Sequence, residues 1–177
     1  MCEDRDMKIA GERPSESVKR NAAGGSADIS KIASDSSLGK KIGAAVAREF
    51  IKAGSSAFAE NETDDSHMVM QRLLLLSFTV TVGLESFCKN DTVSGIAQKA
   101  FLDTVKAEAP ELYAYSSDNG AFSFYFLAFR RGTEVDRRIG QTFAMLCSHD
   151  GDPIYQELGE ALYCWFYSVV ERTVKKY

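Results

Sequence analysis

The chain has 177 residues, 45% of them apolar and 26% charged, with a formal net charge of -4. This length suits one domain with a tail, and the balance is that of a soluble globular protein. A mildly acidic chain has no general attraction for nucleic acid or anionic lipid, so neither a basic nucleic-acid module nor a polybasic membrane anchor is expected.

Residues 1–37 hold no aromatic side chain, and their charges nearly cancel, six basic against seven acidic. Such a stretch buries too little apolar surface to offset the entropy of ordering it. It is expected to be flexible or ordered by a partner, with Ile9, Val18, Ile29 and Ile32 as scattered anchors. It has no apolar run resembling a signal peptide, so a cytoplasmic location is expected.

The globular domain is expected over 38–177. Leu38, Ile42, Val46, Phe50 and Ala53 recur at three and four, with Lys40, Lys41, Arg48 and Lys52 on other faces. Gly39 and Gly43, four apart, permit close approach of a second helix. The acidic Glu60, Glu62, Asp64 and Asp65 suggest a loop, after which Ser66 opens a helix predicted to run to Lys89. Within it, Leu73 to Leu84 carries no charge. That stretch falls short of the about 20 apolar residues a bilayer span needs. It is apolar on every side, which marks the central helix of a bundle. Thr79 to Val82 is β-branched at all four positions and pulls towards a strand, but the continuous run before it does not alternate.

Asn90 or Asp91 is placed to cap a third helix with Val93, Ala97, Phe101 and Val105 on its inner stripe, and Pro110 marks its end or a new turn. Seven residues between Tyr113 and Phe129 are aromatic. A β-hairpin would turn at Asp118 to Gly120, whereas a helix would stack Phe122, Phe126 and Phe129. The helical surroundings favour the helix. Thr133 with Asp136 resembles a capping box ahead of Val135, Ile139, Phe143 and Leu146. Asp152 and Pro153 form an N-cap and first-turn pair for a helix carrying Ile154, Leu158, Ala161, Trp165 and Val169. The fold class is therefore all-α, one bundle of about five or six helices around the apolar helix at 66–89.

Chemistry is sparse. His149 lies beside Asp150 and Asp152, but neighbours in a turn seldom converge on one ion, and a helix connection capped by Asp152 explains them. The acidic group at 60–65 lacks the central glycine and closing glutamate of a calcium loop. Cys88, Cys147 and Cys164 have apolar neighbours and are expected to be buried and reduced. No catalytic residue, metal site or cofactor is predicted. Aromatics in excess of what a core needs anchor interfaces. The expected function is a non-enzymatic protein-interaction or regulatory module that self-associates. The alternative is a bundle binding or transforming a small hydrophobic or anionic ligand, its pocket walled by Phe122, Phe126 and Trp165 with Arg130 or Arg137 at the mouth. A helix-turn-helix around Glu134 to Leu158 is disfavoured by its acidic turn.

Overall fold

A computed structural model describes residues 22–59, 66–115 and 119–177, which form seven α-helices. They are α1 (Ala22–Ala59), α2 (Ser66–Phe87), α3 (Asp91–Glu108), α4 (Pro110–Tyr115), α5 (Asn119–Arg130), α6 (Val135–Leu146) and α7 (Pro153–Val174). The all-α bundle stands, with seven helices where five or six were expected. The extra one is α4: Pro110 opens a helix of its own, because proline suits a first turn as readily as it ends the helix before. The acidic group at 60–65 and the turn residues Ser116, Ser117 and Asp118 lie outside the described residues, as does most of the N-terminal segment.

The expected boundary at 37/38 falls inside α1, and burial begins at Asp35. Asp35 accepts hydrogen bonds from Lys89 Nζ at 2.7 Å and Asn90 Nδ2 at 3.2 Å. Asn90 also caps α3, its Oδ1 accepting from the Val93 amide at 2.8 Å. One carboxylate thus ties α1 to the start of α3. The bond from Lys89, then that from Asn90, hold its carboxyl below the ordinary 3.8. A depressed folded value means stability that is present above pH 3.8 and lost as the pH falls through the lower folded value. Asp35→Asn is therefore expected to melt below the parent at neutral pH, with the two curves converging below pH 3.8 in a pH series of thermal melts.

Helix α2 is the axis. It packs against every other helix, and 72% of its most apolar 18-residue stretch is buried within the fold, although its length and composition would suffice to cross a membrane. Its all-round apolarity has a cause: two cores share it. On one side Leu73, Leu76, Val80 and Leu84 meet Ile42, Val46 and Phe50 of α1, Val93, Phe101 and Val105 of α3, and Phe166 and Val170 of α7. On the other, Leu75, Phe78 and Val82 meet Tyr125 of α5, Ile139 and Phe143 of α6, and Tyr163 of α7. The β-branched run is accommodated because Thr79 and Thr81 donate to the carbonyls of Leu75 and Ser77 one turn back, which satisfies both hydroxyls inside a helix.

The predicted pairing of Gly39 and Gly43 with a second helix is realised on α3, and α6 meets α7 through Gly140 and Gly159 in the same manner. The expected capping box at Thr133 does not form. Glu134 occupies the N-cap of α6 in the left-handed region (φ 48°), and the Asp136 carboxylate accepts from the Arg137 amide. At the other end of α6, the amides of Ser148 and His149 donate to the carbonyls of Met145 and Ala144, a Schellman closure. Ser148 holds the left-handed position (φ 63°) that glycine usually takes. Ser148→Gly removes a strain of about 1–2 kcal/mol, offset in part by glycine's greater unfolded freedom. A rise in stability of about 0.5–1 kcal/mol is expected in a thermal melt.

Candidate interaction surface

The aromatic segment around Tyr113 to Phe129 resolves into α4 and α5, and α5 is apolar on two opposite faces. Its inner face is aromatic. Phe122, Tyr125, Phe126 and Phe129 place their rings 6.1, 5.2, 5.1 and 6.3 Å from the ring of Phe78. Those distances suit edge-to-face and stacked pairs, so much of the aromatic excess serves to dock α5 on α2. Phe124 and Leu127 on the same helix, with Arg131 just past its end, make the outer face. Both Phe124 (49% exposed) and Leu127 (63%) point to solvent, and Met145 (40%) joins them from α6.

Between these helices lies a groove of about 290 Å³ lined by Phe124, Leu127, Ala128, Arg131, Arg138, Gln141, Thr142, Met145 and Asp150. The connection of residues 131–134, with Gly132 in the left-handed region (φ 72°), folds α5 and α6 into a helical hairpin. The lining residues recede from that turn in step. Arg131 and Arg138 sit nearest it, Leu127 and Thr142 in the middle, Phe124 and Met145 at the far end, with Asp150 beyond. The groove is therefore basic at one end and acidic at the other, with Phe124, Leu127, Ala128 and Met145 as the apolar part of its floor beside Gln141 and Thr142.

Sequence-predicted residues fall around this surface rather than on it. Phe122 and Phe126 are brought together, half-buried, against Phe78. Arg130 is exposed at the end of α5, and Arg137 lies 3.7 Å from Glu134, both side chains well exposed. Trp165 stands on α7 with its ring 5.4 Å from that of Phe166, a residue of the first core, whereas Phe122 and Phe126 border the second. The residues that line the groove, Phe124, Leu127, Arg131 and Arg138, each lie one or two positions further on. A signal for them existed: α5 has too many apolar residues for one buried stripe.

Other chemical candidates are accounted for by packing. His149 stacks on Tyr155 with ring centroids 3.8 Å apart, and Asp152 caps α7 by accepting from the Ile154 amide at 2.9 Å. Gly151, at φ 80°, makes the bend between them. Among the described residues, no three or more His, Cys, Asp or Glu side chains are grouped to hold a metal ion. Cys147 is buried, and burial pushes its thiol up to about 11, so it stays protonated and unreactive at neutral pH. Cys164 is exposed, contrary to expectation, because it sits on the solvent side of α7. Its thiol is nevertheless raised, by partial burial and then by Asp136 and Glu160. Among the described residues the buried Tyr125 hydroxyl and Gln71 Oε1 have no hydrogen-bond partner, a cost to the fold.

Two further grooves differ in kind. One is lined by Glu85, Asp91, Ser94, Gly95 and Gln98, the other by Glu49, Val169, Arg172, Thr173 and Lys176. Neither carries an exposed large apolar side chain. The α5–α6 face alone of the three combines apolar exposure with charge of both signs.

The chain matches no known family model, no curated protein and no solved structure.

Proposed function

We propose that this protein is a non-enzymatic interaction or regulatory module that associates with copies of itself through the outer face of α5 and α6. The observation that carries the reading is the clustering of Phe124, Leu127 and Met145, all exposed, around one charged groove. Contiguous exposed apolar surface mixed with charge is characteristic of docking sites, and isolated apolar residues are not. A small-molecule site encloses 70–90% or more of its ligand as a rule. The openness of these side chains favours a broad partner over a small one. A cytoplasmic setting suits a module whose buried Cys147 is a free thiol.

Native mass spectrometry of the purified chain at tens of micromolar separates this reading from its rival. A dimer population with no bound small molecule is expected. A monomer that carries a hydrophobic or anionic adduct would support the ligand-binding bundle instead.

A further inference from the structure

We infer that the partner is a second copy of this chain packed antiparallel, α5–α6 face against α5–α6 face about a two-fold axis. In this register Arg131 and Arg138 of one copy meet Asp150 of the partner subunit. The inference rests on the self-association reading above and adds its geometry.

The charge arrangement points to this register. Arg131 and Asp150 have no ion-pair partner among the described residues, and Arg138 makes one long hydrogen bond, 3.3 Å to Thr133 Oγ1. Three charges with unused capacity thus border one apolar floor, the two positive ones at the hairpin turn and the negative one past the opposite end. A parallel pairing of two such faces would set arginines against arginines. A two-fold axis through the middle of the groove instead sets each basic end on an acidic end and superposes the apolar floors. Symmetry of that kind makes a single patch its own complement.

The size of the face limits the affinity. Two 12-residue helices side by side present a face about 18 Å long and about 20 Å wide, on the order of 400 Å². Stable interfaces use roughly 800 Å² per partner. The dimer is therefore weak and reversible, and its unsatisfied charges set register more than strength.

Sedimentation equilibrium on charge-reversed full chains tests the register. The basic-end variant combines Arg131→Glu with Arg138→Glu, and the acidic-end variant is Asp150→Lys. Each alone places like charges across both ends of the dimer and is expected to weaken association about tenfold or more. Mixed together, the two restore opposite signs at both ends and are expected to form a heterodimer near the parental affinity. Leu127→Glu, which charges the floor, serves as the control. If it dissociates the dimer while neither charge variant weakens it, or if mixing restores nothing, the antiparallel register is wrong and the surface stands. If the parent chain is monomeric throughout, both readings fall. Unchanged circular dichroism of each variant, and unchanged melting at concentrations where the parent is monomeric, show that the fold is intact.

Discussion

Phe78→Ala is expected to destabilise the protein by about 3–5 kcal/mol in a urea melt, the range for truncating a buried phenylalanine. Phe78 is fully buried on the second-core side of α2, and four rings of α5 surround it. The loss has two parts: burial of the ring itself, and the aromatic pairs worth about 0.5–1.5 kcal/mol each, which do not simply add. Because α5 reaches α2 through this ring, a cavity there weakens the seat of the α5–α6 hairpin more than the α1–α3 side. Amide exchange should accordingly accelerate in α5 and α6 ahead of α1 and α3. A cost below about 1 kcal/mol would show that the inner face of α5 is not held as described.

The second large effect concerns the same substitution at two glycines with opposite outcomes. A Cβ on Gly43 would lie 2.3 Å from the Ala97 carbonyl oxygen, 2.8 Å from Ala100 Cβ and 2.9 Å from the Phe101 amide nitrogen. Two of those atoms are backbone and cannot rotate away, so α1 and α3 must separate. Overpacking costs about 1–3 kcal/mol, against the up to about 1 kcal/mol that alanine gains over glycine inside a helix. The rigid receiving surface puts Gly43→Ala at the high end, for a net loss near 2 kcal/mol. Gly95 is exposed on α3 with nothing within 4 Å of an added Cβ. There the helical preference acts unopposed, and Gly95→Ala is expected to stabilise by up to about 1 kcal/mol. Chemical denaturation of the pair decides the matter: equal signs would contradict the packing of α1 on α3.

The parts of the fold that could be read from sequence are those where one physical requirement dominates. A helix apolar on every side has nowhere to go but the centre, and α2 is there. Asn90 and Asp152 cap helices because their side-chain oxygens satisfy first-turn amides, a local matter. Failures arise where two requirements compete. The upstream half of α1 is rich in alanine, serine and glycine, so it lacks the apolar stripe by which a helix is recognised. Thr133 and Asp136 have the spacing of a capping box, but the left-handed turn at Gly132 and Glu134 moves the cap by one residue.

The site illustrates the same limit. Helical periodicity finds Phe122, Phe126 and Phe129 as one stripe and Phe124, Leu127 and Arg131 as another. It cannot say which stripe faces the core, because Phe124 and Leu127 are as apolar as the rings of the other stripe. The decision belongs to Phe78, which lies more than forty residues upstream and matches the aromatic stripe by shape. Arg130 and Arg137 were likewise neighbours of the residues that line the groove, one helical step away from Arg131 and Arg138.

The most direct measurement of the central claim is sedimentation velocity of the parent chain and Leu127→Glu over a concentration series through the micromolar range. The α5–α6 account predicts a weight-average sedimentation coefficient that rises with concentration for the parent and stays at the monomer value for Leu127→Glu, with equal melting temperatures at concentrations where both are monomeric. A flat monomer profile for the parent, or the same rise in both chains, would contradict it.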